Sequence, residues 1–258
     1  MSATPAGRIA RTLAAIEYHA LHYRGMFLAT LATTIVTPLL YYLAIGELLG
    51  RHVDATRFGS DSYIDHLAPA LIPTFALQLV VAATVNPVVA CWKWTDTYAT
   101  MRTSPMTAGE IGLGHVSFVW LRLVLSCLIY TAIAQLFLHD SLSAAARWFT
   151  SGLVVGMSMS TVLYALAVRV NHDATLALVS RLVVLPMTFL SGAFFPYDQL
   201  PAPLRQIAVV SPLTHGTSLA TGADESALGV VLRIAYLAAI MAAGAVASRS
   251  ALRNRLEV

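Results

Sequence analysis

The sequence predicts an all-α integral membrane protein with six transmembrane helices. Of 258 residues, 57% are hydrophobic and only 11% charged, whereas soluble domains carry about a quarter charged residues. Such a composition cannot coat a water-exposed surface. Six stretches of predominantly apolar residues stand out along the chain, each near the roughly 20 residues that a helix needs to cross a hydrocarbon core about 30 Å thick. Arginines flank both ends, with Arg8, Arg11 and Arg24 before the first stretch and Arg249, Arg253 and Arg255 after the last. Basic residues bias segments toward the cytoplasm, so both termini are expected there, with residues 1–258 forming one polytopic domain.

Residues 8–24 project as an interfacial amphipathic helix. Ile9, Leu13, Ile16, Ala20 and Tyr23 lie on one side and Arg8, Arg11, Thr12, Tyr18, His19 and His22 on the other, the pattern of a helix lying on a membrane. Glu17 and Arg24 fall beside the apolar stripe. His19 and His22 are spaced to share a metal, although a solvated basic face is the plainer reading. Nothing before Arg24 resembles a cleavable signal, so the first span is expected to direct insertion.

Span 1 is expected over 26–45, followed by a charged outer stretch, 46–66, that includes Asp61, Asp65 and His66. Span 2, 67–90, contains Pro69, Pro73 and Pro87 and is expected to kink and pack inward, where neighbours satisfy the freed carbonyls. Spans 3 and 4, 116–138 and 148–168, join through an outer turn at His139 and Asp140. After an inner turn at Arg169–Asp173 comes span 5, 174–195. Residues 196–227 are too apolar for an ordinary loop and too proline-broken for a span, while Leu200, Leu204, Ile207 and Val210 recur at helical spacing. They suggest a re-entrant helix dipping into the outer leaflet at a pathway mouth. Span 6, 228–246, precedes the arginine tail. Cys91 and Cys127 read as buried thiols.

Several chemistries find no support in the residues. The single lysine, Lys93, follows Ala90, Cys91 and Trp92, so the glycine-rich loop ending in lysine that cradles ATP phosphates is missing. No His-Glu-x-x-His occurs; Asp61, Asp65 and His66 come nearest to a catalytic cluster, leaving a membrane-embedded lipid-modifying enzyme as an alternative of another class. The spans hold Gln78, Asn86, Gln135, Arg122 and Arg181 but no mid-membrane acid, which disfavours ion coupling. Arg122 and Arg181 can snorkel toward the inner interface. Nothing points to nucleic acid.

The inner segment 92–110 is the most informative. Its first half has helical character, Pro105 imposes a stop, and Thr107 with Glu110 three residues on makes a capping box for a new helix. Two tryptophans and a tyrosine in this loop suit docking to a soluble partner better than mere solvation.

The pattern Thr97, Ser104-Pro105 and Glu110 resembles the coupling-helix region of ABC-2 type permeases. Pro186–Pro196, followed by Gln199-Leu200-Pro201 and Ser211-Pro212-Leu213-Thr214-His215, resembles that family's C-terminal signature, and Tyr63 with Leu67-Ala68-Pro69 the opening of its second span. The likeness covers nearly the whole chain. It implies a six-span permease, paired with a second copy or a homologous permease and docked to cytoplasmic ABC ATPase subunits that bind ATP and Mg. This chain itself would bind no cofactor. Trp94, Thr97, Arg102, Ser104, Pro105 and Thr107 would contact the ATPase, and Glu110 would anchor the next helix. Phe75, Gln78, Asn86, Met187 and Phe189 would line the substrate pathway, with ordinary helix packing an equal reading for each. Lys93 stands near the place where many relatives carry an acid, with Asp96 as the substitute. The expected cargo is an amphiphile, drug-like or lipid-like, with polysaccharide or lipo-oligosaccharide as the alternative. Fifteen arginines against one lysine suggest a GC-rich bacterial genome, hence a bacterial inner membrane.

Overall fold

The computed structural model describes residues 5–52, 62–170, 180–195, 200–222 and 226–256. The described residues are helical, with no strand among them. In chain order, α1 spans Pro5–Tyr23 and, after a 3-10 turn, α2 spans Phe27–Tyr41, continuing with wider π-type turns over Tyr42–Leu49. Next come α3 (Tyr63–Lys93), α4 (Thr97–Arg102), α5 (Ala108–Leu138) and α6 (Leu142–Arg169). A π-type turn at Ser180–Val184 leads into α7 (Leu185–Leu190), and α8 (Ala202–Val210), α9 (Pro212–Thr221) and α10 (Ala227–Leu256) complete the chain.

Among the described residues, five helical runs are long and apolar enough to cross a membrane: Gly7–His52, α3, α5, α6 and α10. The chain is therefore a multi-pass membrane protein. Six spans are expected from sequence; the described part of the fifth is the shorter apolar helix Arg181–Leu190, and the Asn171–Asp173 turn and 174–179 lie outside the described residues, as do Asp61, Pro196 and Gln199.

Burial ranks the helices. In α3, 83% of the apolar window is buried, and in α6 72%, against 11% in α10. Helices α3 and α6 are thus the centre of the bundle and α10 leans on its outside. Helix α3 begins earlier than expected because Ser62 and Asp65 form a reciprocal capping box, which takes Asp65 out of the loop and into the first turn. It runs unbroken through Pro69, Pro73 and Pro87. Helix α6 starts at Leu142, capped by the Ser141 hydroxyl accepting from Ala144 N–H at 3.3 Å, and so absorbs residues expected in the outer turn. The arginine tail is the last turns of α10.

One close approach fixes α10 against α6. A Cβ on Gly244 of α10 would lie 2.4 Å from Thr161 Oγ1 and 2.8 Å from Val162 N, so only glycine lets the two backbones meet. There the Thr161 hydroxyl donates to Met241 O at 3.1 Å and the Ser248 hydroxyl to Thr161 O at 2.7 Å. Residues 200–221 form two helices rather than one, broken at Ser211–Pro212. In α8, Leu204, Ile207 and Val210 are exposed, whereas α9 buries Leu213, Thr214 and Thr217.

Candidate functional site

The connector between α3 and α5 is built by local chemistry. Asp96 takes φ +46, a left-handed conformation that aspartate tolerates better than most residues, and this turns the chain sharply from α3 into α4. Three hydroxyls then donate back to main-chain carbonyls: Thr100 to Asp96 at 3.0 Å, Thr103 to Thr100 at 2.8 Å and Ser104 to Met101 at 2.6 Å. The expected capping box is present, with Thr107 N–H donating to Glu110 Oε2 at 2.8 Å and Glu110 N–H to the Thr107 hydroxyl at 3.3 Å.

Glu110 has a second duty that sequence patterning missed. Its carboxylate also accepts from Arg11 of α1, at 3.0 Å from Nε and 2.7 Å from Nη2. A fork-to-carboxylate pair is strong and directional. The Arg11 guanidinium, against some opposition from burial, holds the Glu110 carboxyl down at about 2; the group stands in the first turn of α5, ahead of the expected crossing at Val116.

This contact turns part of the face expected in water, Arg11 and His19, toward the protein. The face turned to the protein carries Arg11, Ala15 and His19, while Ile9, Leu13 and Leu21 are exposed. Ala15 presses on α5 so closely that a Cβ on Gly114 would sit 2.4 Å from its methyl. His19 is buried rather than solvated, its ring 4.4 Å from that of His115. His22 is exposed and stacked on Tyr18, so the two histidines do not converge on one ion. The missed signal was the four-residue repeat Arg11, Ala15, His19.

The connector is pinned from beneath. The hydroxyls of Tyr18 and Thr97 pair at 3.1 Å, and those of Thr95 and Thr97 at 2.7 Å. Tyr98 is fully buried; its hydroxyl lies 2.8 Å from His115 Nδ1 and accepts from Tyr164 at 3.3 Å. His19, Cys91 and His115 have donor atoms within 4.8 Å of one another, the set among the described residues that could hold a metal ion. Trp92 stacks edge-on against Tyr98 at 5.0 Å, and Arg255 of α10 lies over its indole at 4.4 Å. The start of α1, the connector and the end of α10 therefore occupy one end of the bundle.

Of the expected docking residues, Trp94, Arg102, Ser104, Pro105 and Thr107 are exposed, Trp94 to 70%, whereas Thr97 and Glu110 face inward. The expected pathway residues are not brought together. Phe75 is in the core, its ring 5.5 Å from Tyr41 and 5.4 Å from Tyr130. Gln78 and Asn86 lie on the uncovered face of α3 centred on Ala82, Met187 is half-buried, and Phe189 is exposed. Arg122 reaches back toward α1, over the Tyr23 ring at 4.1 Å, and Arg181 is exposed.

The family model of the ABC-2 type transporter matches residues 12–223. The chain belongs to the ABC-2 type transporter family. This ABC-2 chain is also 27% identical to Nodulation protein J of Rhizobium leguminosarum bv. viciae over 98% of its own length and 97% of the relative's. It is 28% identical to Nodulation protein J of Bradyrhizobium diazoefficiens, covering 81% and 82%, and 27% identical to that of Rhizobium meliloti, covering 76% and 74%. The ABC-2 match takes in α1 from Thr12, the connector and the α8–α9 pair, and ends just before α10.

Proposed function

We propose that this chain is the permease subunit of an ATP-binding cassette exporter, moving an amphiphilic drug-like or lipid-like cargo out of the cytoplasm or inner leaflet. ATP is hydrolysed on separate nucleotide-binding subunits, since this sequence has one lysine and no phosphate-binding loop around it. The connector carries the proposal. Its outer surface offers an exposed tryptophan, arginine and proline, while Thr97, Tyr98 and Glu110 tie it to α1, α5 and α6. A loop so firmly held beneath, with an exposed tryptophan among polar side chains above, suits a soluble partner that pushes on it.

The proposed permease has six crossings in a bacterial inner membrane, with both ends cytoplasmic as the arginines at each end favour. Arg255 donates to Val168 O, which sets the ends of α6 and α10 side by side. His66 Nε2 lies 3.0 Å from Gly192 O, so residue 192 stands near the start of α3 at the far end. Val170 and Gly192 thus stand at opposite ends of the bundle, as the two sides of a fifth crossing would. Two such permeases would pair around the uncovered face of α3 with Gln78 and Asn86. Relatives named for nodulation favour polysaccharide or lipo-oligosaccharide cargo as the second reading.

The test is co-purification with a cognate ATP-binding cassette ATPase, and its stimulated hydrolysis, using Trp94→Ala, Arg102→Glu and Pro105→Ala. Losing such anchors weakens the assembly by about ten-fold or more. Intact co-purification and stimulation in all three variants would overturn the docking surface. Transport of cargo by the purified chain alone in vesicles would overturn the whole reading.

A further inference from the structure

At the end of the bundle that carries the connector, a cavity of about 890 Å³ opens between α1, the start of α5 and the end of α10. Its composition is split. Arg8, Arg249 and Arg253 stand in its lining together with Ile9, Leu13, Leu113, Val116, Trp120 and Val246. The one acid there, Glu110, is already matched by Arg11. The cavity is therefore cationic at its polar end and greasy along its wall.

That wall does not close on itself. Leu13, Leu113 and Val246 are 57%, 61% and 71% exposed, and they belong to helices with membrane-crossing character or, for Leu13, to the helix lying beside them. A ligand that fills this space must bring an anionic group for the arginines and a chain that continues into the surrounding hydrocarbon. We infer that the cavity is a binding site for one anionic phospholipid of the leaflet on the connector's side, its headgroup phosphate between Arg8 and Arg249 and one acyl chain along Leu113, Val116 and Val246. Charge complementarity selects the headgroup, and continuity with the lipid-facing surfaces of α5 and α10 selects a lipid over a soluble anion. The site is separate from the uncovered face of α3 and does not depend on ATPase coupling.

Because α1 forms one wall, a bound lipid bridges it to the end of α10. Lipid occupancy then adds a second attachment of α1 beside the Arg11–Glu110 pair.

The full chain is placed in nanodiscs of equal phosphatidylcholine and phosphatidylglycerol, and lipids retained after release are counted by native mass spectrometry. Wild type is expected to retain one phosphatidylglycerol per chain. Arg249→Gln should lower that retention about five-fold, the worth of one arginine against an anionic surface, while Arg249→Lys keeps it. Arg51→Gln removes an equal charge far from the cavity and should leave retention unchanged; circular dichroism identifies any variant that has not folded. Equal retention of the two lipids, an equal fall in Arg51→Gln, or displacement of the lipid by millimolar inorganic phosphate would each overturn the inference.

Discussion

Replacing Gly244 by alanine tests whether the packing of α10 on α6 is as tight as the backbone geometry requires. The added methyl would meet Val162 N at 2.8 Å and Thr161 C at 3.0 Å, both main-chain atoms that no rotamer change can move. Restoring an ordinary contact of ~3.5 Å requires the helices to part by roughly 0.7 Å. The Thr161–Met241 hydrogen bond, 3.1 Å long, then opens beyond useful range, and the 2.7 Å bond from Ser248 is stretched. Overpacking costs about 1–3 kcal/mol, and interhelical hydrogen bonds in membranes contribute about 0.6 kcal/mol each. About 1 kcal/mol returns because alanine is the better helix former, leaving a net loss of roughly 1–3 kcal/mol. Titration with SDS in mixed micelles, followed by circular dichroism, measures it. Gly25→Ala is the control, because nothing lies within 4 Å of a Cβ there. A Gly244→Ala protein as stable as wild type would refute the reasoning.

Other outcomes follow from the clasp beneath the connector. Glu110→Gln keeps the cap but loses the ion pair with Arg11, so hydrogen exchange should rise over residues 8–20 and stay unchanged in α6. The Glu110 carboxyl, held near 2 mainly by Arg11, has a folded value below its ordinary one. Its contribution is complete above the ordinary carboxylate value of about 4.3 and disappears as pH falls toward 2; a spin label at exposed Leu21→Cys should stay ordered at pH 5 and loosen below pH 3. Tyr98→Phe removes the hydroxyl shared by His115 and Tyr164, leaving buried partners unmatched at a cost of about 1–3 kcal/mol, measurable in the same SDS titration.

Much of the fold was legible because membrane insertion imposes a simple rule on composition. Apolar runs near 20 residues located α2, α3, α5, α6 and α10, and the spacing of Thr107 and Glu110 located the start of α5 through its cap. The boundaries that slipped, at Tyr63 and Leu142, were extended by polar caps that hydropathy reads as loop. The partners of the polar face of α1 were missed for a related reason. A helical wheel assigns the polar face to water, but Arg11 and His19 found a carboxylate and an imidazole on α5, and such partners lie about a hundred residues away in sequence. The inward turn of Thr97 was invisible for the same cause, since its partner Tyr18 belongs to that same helix. Phe75 and Gln78, three residues apart on α3, were grouped by type, yet one is in the aromatic core and the other on the uncovered face.

Glu110 is gripped from two directions, by its own helix cap and by Arg11, while Tyr18 grips Thr97 one short helix away. Two attachment points make a rigid bracket, where a single one would make a pivot. A load at Trp94 would consequently pass to α1 as a whole instead of being taken up by bending of the connector.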